Sequence, residues 1–237
     1  MTKCTLLLLF VMTLALFIAS GCQVMVGEGP LATKEGDVGQ FTGLDVSHAF
    51  NVRITRSDQC RVQIRTNENL VPYLMLENKG GILHIGFQSG VHISHATSEA
   101  YIEMPSVREI HFSGAANGEL IGDWLISSLE VEMSGASKLS GRVMVEQLKA
   151  DLSGASNLSL RGSGNKIDLS GSGASGFDMR DFAGSDATVD LSGASHVALT
   201  ANGNLNGELS GASSLRYRGD PKLGPFQTSG ASSVQRE

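Results

Sequence analysis

Ser134-Gly135-Ala136-Ser137 returns nineteen residues later as Ser153-Gly154-Ala155-Ser156 and then as Ser172-Gly173-Ala174-Ser175. It comes back as Ser192-Gly193-Ala194-Ser195, Ser210-Gly211-Ala212-Ser213 and Ser229-Gly230-Ala231-Ser232. A looser copy, Ser113-Gly114-Ala115-Ala116, precedes them. The successive spacings are 21, 19, 19, 20, 18 and 19 residues, a period that marks a repeat architecture. Ahead of each motif, apolar and acidic residues alternate, as in Val131-Glu132-Met133, Ala150-Asp151-Leu152, Ile167-Asp168-Leu169 and Val189-Asp190-Leu191. Behind it the apolar residues resume at every second position, as in Leu158 and Leu160, Phe177 and Met179, Val197 and Leu199, Leu215 and Tyr217. Period two means strands with one face in and one face out. Gly-Ala leaves room for a bend between strands, and Gly141, Gly162, Gly184, Gly203 and Gly219 mark a second turn in each unit.

A unit of this length holds two or three short strands and no helix, and it cannot stand alone. Ordering its backbone costs roughly 1–2 kcal/mol per residue. Four or five buried apolar side chains return only about 1.5–3 kcal/mol each. The remainder has to come from stacking each coil on its neighbours at the strand spacing of about 4.8 Å, which makes the fold an all-β solenoid, a single-stranded β-helix. Propeller blades need about 40 residues, leucine-rich repeats have another consensus, and the Gly-Gly-x-Gly-x-Asp of calcium nonapeptides does not occur.

The N-terminal part is less regular. Phe50 to Ile54 and Cys60 to Arg65 read as strands, and Asn67 to Leu76 as holding a short helical turn. Asn78-Lys79-Gly80-Gly81 reads as a hairpin turn before Ile82 to Phe87. Tyr101 to Met104 and Ile110 to Phe112 lead into the repeats. These segments are expected to be irregular early coils that also cap the stack against edge-to-edge association. Residues 22–39 read as a flexible tether.

The start of the chain is a targeting segment. Lys3 precedes a predominantly apolar run from Leu6 to Ile18, short of the roughly 20 residues a bilayer span needs. It ends in Ala19-Ser20-Gly21-Cys22, which resembles a bacterial lipoprotein signal, with Ala19 where that pattern favours Leu. The resemblance makes residues 1–21 a signal peptide and Cys22 the lipidated first residue of the mature chain; the alternative is an ordinary cleaved secretion signal. Two or more acyl chains hold a protein firmly on a membrane without a spanning helix. Gln23, in place of an aspartate, points to the outer membrane if the host is Gram-negative. With Cys4 removed and Cys22 acylated, Cys60 is the one cysteine left, expected to be a buried apolar thiol. A formal charge of −6 and a pI near 5.5 argue against nucleic acid as a partner.

Phe41 to Val46, then Met104-Pro105-Ser106-Val107-Arg108-Glu109-Ile110 running into Ser113-Gly114-Ala115, then repeated Leu-x-x-x-x-Ser-Gly-Ala-Ser coils from Leu129 and Leu148 form one arrangement. It resembles the head GIN domain of auto-transporter adhesins, common in lipoproteins of the Bacteroidetes, over residues 40–237. The resemblance implies a right-handed β-helix and carries over no catalytic residue.

One column of side chains invites a chemical reading. Two positions before the motif serines stand His111, Glu132, Asp151, Asp190, Glu208 and Gln227, with Asp168 joining if Ser170-Gly171 is an inserted pair. On stacked coils such carboxylates lie about 5 Å apart. They make either a solvated face, partly offset by Lys149 and Lys166, or a ladder for an oxygen-seeking cation such as Ca²⁺. No other cofactor is implied. The serines are expected to hydrogen-bond to one another or to backbone in the bend rather than act as nucleophiles, since His196 accompanies one copy alone. His92-x-x-His95 is half of a zinc pattern or a pair of surface histidines. Lys166 with Asp168 and Arg180 with Asp181 are pairs that any surface carries.

These features favour a non-catalytic binding or adhesion module at the cell envelope, with a glycan or an envelope protein as partner. A polysaccharide-acting enzyme is the alternative, weakened by a single tryptophan, Trp124, and three tyrosines. A self-assembling solenoid is the third reading, with the repeat at Ser229 to Val234 as the face that would pair in a homo-oligomer.

Overall fold

The computed structural model describes residues 23–237 of the chain; the expected signal segment, residues 1–21, and Cys22 lie outside them. The body is a right-handed β-solenoid dominated by one 17-stranded sheet. Among the described residues no helix is long and apolar enough to cross a membrane.

The coil from Lys138 shows how the sequence makes the fold. Residues 138–141, 142–145 and 147–152 are three parallel-paired stretches, in register with 157–160, 161–164 and 166–171 of the next coil. Leu139, Val143, Val145, Leu148, Ala150 and Leu152 are buried, so alternate side chains fill the lumen. Glu146 and Gln147 are exposed side by side, and this break in parity is the corner between the second and third stretches.

The remaining corner is the Ser-Gly-Ala-Ser turn. Gly114, Gly135, Gly154, Gly173, Gly193, Gly211 and Gly230 all have positive φ, between 71° and 75°. From Ala136 on, each following Ala donates its N–H to the glycine carbonyl one coil back, as from Ala155 to Gly135 at 2.7 Å. The fourth-position serines are buried in every turn but the last, and their hydroxyls donate to the carbonyl of the first serine in the same turn. Ser137 reaches Ser134 at 2.8 Å, Ser175 reaches Ser172 at 2.6 Å and Ser213 reaches Ser210 at 2.8 Å. The expected backbone-bonding role of the serine ladder is met by these bonds.

Coil length varies mainly at one bend, with one further shift in the last coil between Leu205 and Gly207. Register shifts fall between Leu120 and Asp123, Ser159 and Gly162, and Met179 and Ala183, all at the bend after the first stretch. This is the second turn that the outlying glycines mark. The third stretch and the Ser-Gly-Ala-Ser turn stay in register through these coils.

The N-terminal end is built out of chain order. Gly43–Val46 and Asn51–Arg56 form the first coil. Ile82–Phe87 and Ser98–Met104 stack in parallel on its outer side, and Glu109–Phe112 stacks on the inner side of Gly43–Val46. Two antiparallel pairings close the outer edge: Leu74–Lys79 on Ile82–Phe87, and Arg61–Asn67 on Ser98–Met104. A 3₁₀ turn, Glu68–Tyr73, links them, and Asn78-Lys79-Gly80-Gly81 makes the expected hairpin.

Two sequence expectations need correction here. The described part of the stretch read as a tether is paired: Leu31–Gly36 runs antiparallel to Arg61–Asn67, and Gln23–Val26 runs parallel to Val91–Ser94. Leu31–Gly36 is polar with no fully buried side chain, so it shows little hydrophobic alternation, and backbone pairing holds it. Cys60 is half-buried rather than enclosed, with its thiol 3.4 Å from Gln40 Oε1 at the mouth of the coil.

Candidate functional site

A groove of about 800 Å³ runs along one side of the stack, beside the Ser-Gly-Ala-Ser corner. Outward side chains two positions before each turn form one wall, and the first serines of the turns, such as Ser134, Ser153 and Ser192, form the other. Both walls follow from parity. In the coils before the last, the intervening residue (Met133, Leu152, Leu191) points into the core, so its neighbours must point out.

The wall is continuous. Glu132 pairs with Asp151, Asp151 with Ser170, Ser170 with Asp190, Asp190 with Glu208, and Glu208 with Gln227. Below Glu132 come His111, then Asp45, then His84. Nine rungs at the strand spacing make a line about 38 Å long.

Asp168 is not in this column. It pairs with Lys149 on one side and Thr188 on the other, two positions upstream, and Ser170 holds the groove position instead. The expectation of an inserted Ser170-Gly171 pair fails because this coil has ordinary length. Gly171 takes the inward place of a leucine, and an added Cβ there would approach Leu191 Cδ2 at 2.9 Å and Phe177 Cε2 at 3.0 Å. The large side chains above thus fill the space that a leucine occupies in other coils.

The charges are partly compensated. Glu130, Glu132 and Asp151 bring one carboxylate oxygen each within 4.8 Å of one another. Lys149 reaches into this group, with Nζ 2.6 Å from Glu130 and 3.3 Å from Asp151. Hydrogen bonds to Glu130 and then Asp151 hold the Lys149 ammonium above the usual lysine range. Lys166 pairs with Asp168 at 3.2 Å, away from the groove wall. At the capped end His84 Nδ1 lies 2.9 Å from Asp45. Asp190 and Glu208 have no such cation among the ion pairs of the described residues.

Other sequence candidates fall elsewhere. The Ser195 hydroxyl is buried and donates to the Ser192 carbonyl at 2.9 Å, while His196 points outward. The two therefore do not form a nucleophile and base. Arg180 lies 3.7 Å from Asp178 as an exposed surface pair. Trp124 is fully buried, so it packs the core and offers no face for stacking a sugar.

His92 and His95 line a second cavity, of about 520 Å³, under the first turn, and His48 joins them there. His48 has φ 68° and occupies the place of the motif glycine: Ala115 donates to its carbonyl at 3.0 Å, as Ala136 does to Gly114 at 2.7 Å. Its ring is edge-on to Phe87, with centroids 5.6 Å apart. Burial, then the nearby His92, lower its pKa, which disfavours the charged imidazolium. The three rings do not bring three nitrogens within 4.8 Å of one another, so they are not a preassembled metal centre.

Asp45, His84 and His48 escaped the sequence reading. The signal was present: Asp45-Val46-Ser47-His48-Ala49 repeats Asp190-Leu191-Ser192-Gly193-Ala194 with histidine for glycine.

The fold and groove define a class: a right-handed parallel solenoid that displays an in-register polar ladder. Residues 40–221 match the profile of the family "Putative auto-transporter adhesin, head GIN domain", and the chain belongs to that family. No curated protein matches it in sequence. Its fold is similar to that of a "putative adhesin" from Bacteroides fragilis, with a TM-score of 0.85 and 16% identity over 90% of this chain and 100% of that one. A "putative lipid binding protein" from Parabacteroides distasonis has a TM-score of 0.75 and 16% identity over 91% of this chain and all of that one. A "putative adhesin" from the same species has a TM-score of 0.75 and 18% identity over the same shares. Identities this low carry the fold and no more.

Proposed function

We propose that the chain is a non-catalytic binding module, held at the cell envelope by lipid on Cys22, with the solenoid groove as its binding face. The observation that carries this reading is the position of the coil-length variation. Register shifts fall at the bend after the first stretch in three coils and between Leu205 and Gly207 in the last, while the groove positions themselves and the turn keep register. A stack maintained only for stability has no need to keep one outward column in register in this way. A line of carboxylates and hydroxyls repeating at about 4.8 Å suits an extended polymeric ligand, a glycan or a polypeptide of the envelope, gripped at several rungs. Membership of a family of adhesin heads supports the same reading.

The lipid-free body should capture its partner from a glycan array or a detergent-solubilised envelope fraction. Glu132→Gln, Asp190→Asn and Glu208→Gln, combined in one chain, should weaken that capture at least about tenfold, since several charge-assisted contacts vanish together. Equal capture by the triple variant and the wild type would place the binding face elsewhere.

A further inference from the structure

We propose that the capped end of the solenoid sits directly on the lipid surface, with the strand Gln23–Val26 as its contact. This rests on the reading of Cys22 as the acylated residue.

The chain leaves little slack between Cys22 and the body. The strand begins at the residue after Cys22 and is paired along its length with Val91–Ser94. The chain beyond is pinned as well. Gly27 donates to the Ser94 carbonyl at 3.2 Å, Glu28 N–H donates to Asn69 Oδ1 at 2.9 Å, and Asn69 Nδ2 donates to the Val26 carbonyl at 2.8 Å. A ten-residue flexible linker would let the body drift about 17 Å from its anchor. Here the Cα of residue 24 lies no more than about 7.6 Å from that of Cys22. The acyl chains enter the bilayer at the headgroup boundary, so the strand must lie within that layer, which is about 5–10 Å deep.

The side chains suit that position. Met25 turns inward against the core, while Val24 and Val26 are 63% and 44% exposed. Leu31, just past the turn, is 42% exposed. Three of the seven exposed large apolar side chains of the described residues thus fall within nine positions of the anchor, where lipid would cover them. The strand belongs to a two-stranded sheet separate from the main one, so contact with lipid leaves the solenoid undisturbed. The groove begins near this end, at Asp45, and its later rungs are carried away from the membrane.

The test uses the full mature lipoprotein in vesicles of phosphatidylethanolamine with a minority of phosphatidylglycerol. Val24→Cys, in a Cys60→Ser background, carries an environment-sensitive fluorophore; Asn202→Cys, on a late coil, serves as the distal control. Mass spectrometry first reads acylation at Cys22. With shallow spin-labelled lipid the residue 24 probe should lose about half its emission and the residue 202 probe little. A Gly-Ser insert of about ten residues after Cys22 should abolish the difference. An acylated chain whose two probes are equally unquenched overturns the seating and leaves the anchor intact. An unacylated Cys22 overturns the anchor reading and the seating with it.

Discussion

Gly173 is constrained twice. Its φ is 72°, and a Cβ there would lie 2.6 Å from the Gly154 carbonyl oxygen in the coil beneath. The left-handed conformation costs an alanine roughly 1–2 kcal/mol, and displacing that carbonyl weakens the 2.7 Å bond that Ala174 makes to it. Gly173→Ala should therefore lower stability by at least about 2 kcal/mol in urea unfolding. His48 holds the same conformation at the bottom of the column, where the coil beneath makes no such turn. The space beside it opens into the cavity formed with His92 and His95. His48→Gly should change stability by no more than about 1 kcal/mol, because relief of the backbone strain offsets the lost edge contact with Phe87. A large loss in His48→Gly, or none in Gly173→Ala, would contradict the stacked-turn account. The contrast also explains what could be read in advance. Where a coil lies beneath, only glycine fits, so the motif repeats visibly in the sequence. Where none does, the constraint lapses, histidine appears, and Ser47-His48-Ala49 no longer looks like a turn.

At the scale of the strand and its neighbours, parity and register decide which side chains meet. Parity was legible: alternation around Glu132, Asp151, Asp190 and Glu208 put them on one outer wall. Register was legible only where coils have equal length and equal filling. Asp168 was assigned to the wall because Leu169-Ser170-Gly171 imitates the usual approach to the turn; the glycine in the core position, filled from above by Leu191 and Phe177, cannot be seen in one coil's sequence. The pairing of Leu31–Gly36 was hidden for another reason, since it depends on backbone bonds to Arg61–Asn67 and buries no full side chain. Register also places Lys149 among Glu130, Glu132 and Asp151, where its ammonium stands in for a cation. Lys149→Met should unmask that group. Calorimetry should detect Ca²⁺ binding at about millimolar concentration in the variant and much weaker binding in the wild type. Equal heats from the two proteins would show that the lysine does not guard the carboxylates.

Across the whole molecule, the antiparallel strands at the N-terminal end and the parallel coils have different jobs. The antiparallel pairings close one edge of the sheet, and chain order is broken there to place a ready-made coil under the first turn. Beyond it each coil touches chiefly the one before and the one after, so stability approximates a sum of coil and interface contributions. Such a stack should accept whole coils at any regular interface. Residues 134–171 are two successive coils of equal length whose partners are matched residue for residue along the third stretch. Duplicating them in tandem should give a folded protein about 10 Å longer, with unchanged cap signals in amide exchange and the groove extended by two rungs. Register sets a sharper condition. One residue inserted between Gly154 and Ala155 shifts every later outward side chain relative to its neighbour and breaks the Ala155 bond to Gly135, whereas one residue inserted at Gly162 enters the bend where coils already differ in length. Small-angle scattering and thermal unfolding should find the duplication and the Gly162 insertion folded and the Gly154 insertion destabilised. Equal tolerance of the two single insertions would mean that the turn does not set the register, and the groove could not then be a continuous ladder.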